Sequence, residues 1–253
     1  MGANPFAPLA GASTRTVGAS ADWRCVSPVP PGAPTPPEAH PKLGTPTSSW
    51  TYRDAAGETL GYVMRFDRDG EKEFRPLVQF RREKDGALAW RWEAWPSPRP
   101  LYGLDLLAAR PDAPVLICEG ENATDAARRL APDHVVVTSP NGSKSAGKAD
   151  WSVLRGRSCA IWPDADKAGA AYAKTVGVAL AAAGAAHVGT ISLPADVRDG
   201  WDAADAEEQG MSVADVAKLI ATAGRGMATE VRRHPIQATM RRALESGRHN
   251  AIR

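Results

Sequence analysis

The sequence is short of cysteine, of long apolar runs and of net charge, and each shortage removes a class of protein. Only three cysteines occur in 253 residues, Cys25, Cys118 and Cys159, far apart and without a Cys-x-x-Cys or Cys/His pairing. That spacing argues against a zinc finger and against a disulfide scaffold. Cys118 and Cys159 sit inside short apolar runs, where an inert buried thiol is expected. The longest weakly polar run, Val176 to Val188, is mostly Ala and Gly and includes a histidine. It falls short of the roughly 20 apolar residues that a bilayer span needs, so no membrane partner is expected. The N-terminus has neither a basic start nor an apolar stretch, so no secretory signal is expected and a cytoplasmic protein is implied. Formal net charge is only +2, with no overall basic excess to announce a nucleic-acid binder. No Gly-x-x-x-x-Gly-Lys-Ser/Thr loop is present, which leaves no phosphate cradle for a motor ATPase.

What is present suits a folded protein: 43% hydrophobic and 24% charged residues, near the globular average. Ten of the 21 prolines lie before residue 47, among Gly, Ser, Thr and Ala. Such a composition buries too little apolar surface to offset chain entropy, so residues 1–47 are expected to be a disordered, Pro-rich leader. Over 48–111 short alternating segments follow, including Leu60 to Phe66, Phe74 to Phe80 and Leu88 to Trp92. Asp-Gly and other Gly-containing turns separate them, the signature of a small antiparallel β subdomain. Its arginines (Arg65, Arg75, Arg81, Arg82, Arg91) interleave with aromatics, a mixture that can grip single-stranded nucleic acid or merely cover a core.

From residue 112 the pattern changes to β/α alternation. Apolar runs at Val115 to Cys118, Val135 to Thr138, Ser158 to Trp162 and Val188 to Leu193 alternate with helical stretches at Asn122 to Leu130, Lys167 to Ala183 and Val213 to Ala221. Continuous apolar strands separated by helices predict an α/β fold, a doubly wound parallel sheet spanning 112–223. The remainder, 224–253, is a basic tail with seven arginines against two glutamates, locally able to touch a phosphate backbone.

In a doubly wound sheet, ligands bind beyond the carboxyl ends of the strands. Glu119 directly follows the first of these strands, Asp164 and Asp166 follow the third, and Asp202 and Asp205 follow the fourth. Like charges brought together repel unless a cation neutralises them. Oxygen ligands without His or Cys point to Mg²⁺ or Mn²⁺. Each acid alone is equally a surface residue or, for Asp202, a helix cap.

These residues carry a family resemblance. Cys118-Glu119-Gly120-Glu121-Asn122-Ala123-Thr124-Asp125-Ala126 resembles the first motif of Toprim domains, and Trp162-Pro163-Asp164-Ala165-Asp166-Lys167-Ala168-Gly169 resembles their Asp-x-Asp motif. Thr138 to Lys144 is similar to the intervening loop of bacteriophage and plasmid (mobile-element) DNA primases, and Asp202 to Ala206 to the acidic element that follows. The segment ending in Leu101-Tyr102-Gly103-Leu104 looks like the region that precedes Toprim in those primases. The resemblance implies a catalytic general acid or base at Glu119 and metal ligands at Asp164 and Asp166, with Asp202 and Asp205 completing or supporting the site. It further implies that Asn141, Gly142 and Lys144 contact the nucleotide. The activity implied is metal-dependent nucleotidyl transfer, RNA primer synthesis on single-stranded DNA from nucleoside triphosphates, beside a helicase carried on another chain. The cysteine spacing leaves out the zinc-binding module that reads template in many primases. A Toprim nuclease using the same metals, and a non-catalytic DNA-binding or partner-recruiting module, are the alternatives.

Overall fold

The computed structural model describes residues 22–224. Five strands come first: β1 (Trp23–Cys25), β2 (Ser48–Arg53), β3 (Thr59–Arg68), β4 (Glu71–Arg82) and β5 (Leu88–Arg91). All pair antiparallel in the order β1-β4-β3-β2, with β5 also on β4. The expected antiparallel subdomain is therefore present. Its core is aromatic: Trp50, Tyr52, Phe80 and Trp95 are buried with Leu60, Val63 and Val78, while Phe66 packs with Met64 and Leu77.

The expected disordered leader is corrected over residues 22–47. Trp23 to Cys25 is a strand paired with Cys25 opposite Phe80, and the Pro-rich segment behind it is strapped to the sheet. The Val29 amide donates to the Thr59 carbonyl and Trp90 Nε1 to the Pro34 carbonyl, both at 2.7 Å. The His40 ring meets Trp92 edge-on at 4.7 Å and Phe66 at 5.8 Å. The segment needs no core of its own because it borrows the rings of the sheet, and composition alone does not register a borrowed core. The rest of the leader, and the basic tail beyond Gly224, lie outside the described residues.

The parallel half runs α1 (Leu104–Ala109), β6 (Val115–Cys118), α2 (Glu121–Leu130) and β7 (Val135–Val137), followed by three 3₁₀ turns between Gly142 and Leu154. Then come β8 (Ser158–Trp162), α3 (Lys167–Ala183), β9 (His187–Thr190), α4 (Ala203–Glu208) and α5 (Val213–Ile220). The sheet order is β7-β6-β8-β9 and every pair is parallel. Successive strand residues face opposite ways, and the packing follows that alternation. Leu116, Cys118, Val136 and Trp162 pack against α2, α4 and α5, whereas Val115, Ile117, Val135, Val137 and Ile161 pack against α3, Leu107 and Leu154. Helices cover both faces, which is why β6 and β7 are buried at every position. The fold is thus mixed α/β, a doubly wound parallel sheet behind an antiparallel one. Among the described residues no helix is long and apolar enough to cross a membrane.

Candidate active site

Three loops leave the carboxyl edge of the parallel sheet, and each carries acids. At the end of β6, the buried Tyr172 hydroxyl of α3 donates to the Cys118 carbonyl at 2.9 Å. The half-buried Glu119 follows, then Gly120 as the extended residue before α2. Beyond β8, Asp166 caps α3 by accepting the Gly169 amide on Oδ1 at 2.7 Å. A Cβ at Gly169 would lie 2.1 Å from the Asp164 carbonyl oxygen, so only glycine lets the helix start so close to Asp164. Ahead of α4, Asp202 Oδ1 accepts the amides of Ala204 (2.7 Å) and Asp205 (3.1 Å), while Asp205 Oδ2 accepts the Asp202 amide at 3.0 Å. This reciprocal pair is a capping box.

Backbone contacts bind the second and third loops together. The Ala165 amide donates to the Trp201 carbonyl at 2.8 Å and the Gly200 amide to the Ala165 carbonyl at 3.2 Å. Beneath them the buried rings of Trp162 and Trp201 lie 5.8 Å apart. Each tryptophan precedes its acid by one or two residues, so packing in the core sets where Asp164 and Asp202 emerge.

Electrostatics show how closely the acids share one environment. Burial, then the charges of Glu119, Asp202, Asp166 and Asp205, push the Asp164 carboxyl up to about 8. Burial is also the first cause that raises Glu119 and Asp202. For Glu119, the Ser143 hydroxyl and amide pull the other way; for Asp202, the two cap amides do. Each carboxylate is harder to ionise because its neighbours are acids and little water screens them.

The loop after β7 folds over Glu119. Asn141 (φ 66°) and Gly142 (φ 52°) both take left-handed backbone, which turns the chain sharply back. A Cβ at Gly142 would sit 3.7 Å from the Glu119 carbonyl oxygen and 3.8 Å from Glu119 Oε1. Glu119 Oε2 and Asn141 Oδ1 are buried with no hydrogen-bond partner among the described residues. Lys144, at the end of the turn, is exposed.

Of the residues expected at the site, Glu119, Asn141, Gly142, Asp164, Asp166 and Asp202 converge on this edge. Asp205 differs: one of its oxygens closes the capping box and the other pairs with Arg198, at 2.5 Å. It supports Asp202 more than it faces the site. Among the described residues, no three His, Cys, Asp or Glu side chains are gathered tightly enough to hold a metal ion as they stand. Two of the acids are instead turned into helix caps. The sequence reading missed Tyr172, Ser143 and Arg198 as neighbours of the site. Asp125, the aspartate of the first motif, accepts Trp50 Nε1 (2.9 Å), the Tyr102 hydroxyl (3.0 Å) and Arg128 (2.9 Å), a structural duty.

No family model matches the sequence, and no curated protein matches it either. The solved structures it resembles include DNA primase domains. The Aquifex aeolicus primase (zinc-binding and RNA polymerase domains) gives a TM-score of 0.47 at 18% identity over 68% of this chain and 39% of that one. The primase fragment of the bacteriophage T7 primase-helicase protein gives 0.45 at 18% over 68% and 62%. A DNA primase domain from Pseudomonas aeruginosa gives 0.47 at 14% over 71% and 54%. The chain spans less than two thirds of the length of each.

Proposed function

We propose that this chain is a primase-like nucleotidyltransferase that joins ribonucleoside triphosphates on a single-stranded DNA template with Mg²⁺ or Mn²⁺. The observation that carries the reading is the convergence of Glu119, Asp164, Asp166 and Asp202 from three strand ends on one edge. That concentration of negative charge is costly, and Asp164, at its centre, has no hydrogen-bond donor among the described residues.

The donor set fits a hard divalent cation. Every candidate ligand is a carboxylate oxygen, the Asp164 carboxyl has no hydrogen-bond partner among the described residues, and Asp166 and Asp202 each spend Oδ1 on a helix cap. Asp164, Asp166 and Asp202 would hold the ion. When bound, it supplies the positive charge that draws a triphosphate to an acidic edge and offsets charge developing on the transferred phosphorus. The chain's own residues do the rest. Burial raises the affinity of Glu119 for a proton, the direction a general base needs, and its Oε2 has no partner among the described residues; it would take the proton of a 3′-hydroxyl as that oxygen attacks the α-phosphorus and pyrophosphate leaves. Asn141 and Gly142 shape the turn that closes over it, and the exposed Lys144 offers its ammonium to phosphate. A helicase on another chain is the matching partner for such a primase.

Incubation with single-stranded DNA, ribonucleotides and Mg²⁺ or Mn²⁺ tests the reading. Metal-dependent incorporation supports it. DNA cleavage in the absence of nucleotides would assign the same acids to a nuclease, and DNA binding without any product would leave a non-catalytic module.

A further inference from the structure

Glu121 stands two residues beyond Glu119 and has so far no role. Its side chain is 3% exposed, and its Oε1 accepts the hydroxyl of Tyr52, itself fully buried on β2, at 2.7 Å. One turn later on α2, Asp125 accepts Trp50 Nε1 from the same strand at 2.9 Å. Trp50 and Tyr52 are two residues apart on β2, so they share one face of the strand. Glu121 and Asp125 are four apart on α2, so they share one face of the helix. Two residues of strand advance about 6.6 Å and four residues of helix about 6 Å, so two donors meet two carboxylates at matching spacing. Tyr102 adds a third donor to Asp125 at 3.0 Å.

We propose that Tyr52 and Glu121, on the register set by Trp50 and Asp125, are positioning residues through which the antiparallel sheet holds Glu119 in its working place. The inference rests on Glu119 being the proton-moving group of the proposed reaction. Its geometric basis is the short path between them. Gly120 is the one residue separating Glu119 from Glu121. A Cβ at Gly120 would meet nothing within 4 Å and Gly120 offers no side-chain cap, so the link is tied to α2 through its carbonyl, which accepts the Thr124 amide at 2.9 Å and the Thr124 hydroxyl at 2.8 Å. Anchoring α2 from β2 therefore fixes the link as well. With both contacts made, α2 can neither slide nor rotate against the sheet without stranding the buried Glu121 carboxyl and breaking the Trp50 contact to the part-buried Asp125.

The electrical surroundings agree. Tyr52 stays protonated, and hence a donor, because burial and then the Glu121 charge hold its hydroxyl well above the usual range. The groups facing Glu121 are Tyr52 from β2 and Asp125 from its own helix, and Arg128 pairs with Asp125. A carboxyl this buried serves poorly as surface charge.

The test uses the full chain carrying ¹³C-carboxyl-labelled glutamate, with the Glu119 and Glu121 resonances assigned through Glu119→Gln and Glu121→Gln. Tyr52→Phe removes one hydroxyl and is expected to shift the Glu119 resonance, whereas Glu121→Gln, whose amide oxygen still accepts from Tyr52, leaves it in place. In steady-state incorporation, Tyr52→Phe lowers kcat about tenfold, the scale of a small misplacement of a reacting group, with KM within twofold, and Glu121→Gln retains most of kcat. An unmoved Glu119 resonance in Tyr52→Phe overturns the proposal whether or not the protein makes primers. If the wild type makes none, the primase reading fails while the spectrum still decides the positioning role.

Discussion

Along the antiparallel sheet, acids stand beside arginines: Asp67 with Arg65, Glu73 with Arg75, Asp85 with Arg82 and Glu93 with Arg91. At the carboxyl edge of the parallel sheet, Glu119, Asp164, Asp166, Asp202 and Asp205 have, among the described residues, one ion pair between them, Arg198 with Asp205. Neighbouring opposite charges on an exposed sheet cost little and do little. Acids gathered without counter-charge cost stability, and that cost is what the proposed cation would offset. Four of the five arginines that interleave with the aromatics of the β subdomain pair with an acid of that same subdomain.

The cores differ in parallel. Both faces of the antiparallel sheet are filled largely by rings, with Trp95 buried against Tyr52 at 4.8 Å and its Nε1 donating to the Leu60 carbonyl at 3.1 Å. The strands of the parallel sheet use mostly Val, Leu and Ile against helices lined with Ala, and its large rings, Trp162, Trp201 and Tyr172, are gathered near the site.

The sharpest way to break this contrast is Asp164→Asn. It should abolish metal-dependent incorporation, by about a thousandfold or more in kcat, while circular dichroism and the melting transition are retained or improved, because a repelled buried charge has been removed. A large loss of fold instead would show that the acidic edge is structural. Next in size, Trp95→Ala should cost about 4 kcal/mol in urea unfolding, as a large ring leaves a cavity in the aromatic core. Gly169→Ala should cost about 3 kcal/mol and, unlike Trp95→Ala, should lose activity even at temperatures where the protein stays folded, because its Cβ displaces Asp164.

A pH series separates the buried acid from the catalytic ones. Burial raises Glu121 from 4.5 to about 7, so the folded state holds this proton more tightly than the unfolded state. Its contribution is full below about pH 4.5 and is lost as pH rises to about 7, by about 3 kcal/mol in all. Glu121→Gln cannot ionise, so the difference in unfolding free energy between variant and wild type should grow in the variant's favour across that window and level off above it. A pH-independent difference would place the Glu121 proton elsewhere. Smallest of all, Arg24→Ala breaks the exposed Arg24–Glu83 pair, and the melting temperature should stay within measurement scatter.

Much of the site was legible in residue order. The apolar runs that end in Cys118 and Trp162 are buried strands, the acids after them fall on one edge, and Lys167 to Ala183 is the helix that its spacing suggested. These features are local: a strand end, a capping aspartate and a glycine turn are each specified by a few consecutive residues. Less was legible in residues 22–47, whose prolines spoke for disorder while their rings and amides found partners on a sheet formed later in the chain. The role of Asp205 was hidden for the same reason, since nothing in Asp202 to Ala206 announces that Arg198 will fold back onto it.

The sequence alone therefore determined which side chains could do chemistry and on which edge of the sheet they would stand, because β/α periodicity and strand-end turns act over short range. Tertiary structure alone decided which buried groups those acids face across the sheet edge, and that Tyr52 meets Glu121 across 69 residues. Hydrogen bonding and burial select partners by distance in space, and residue order does not contain that distance.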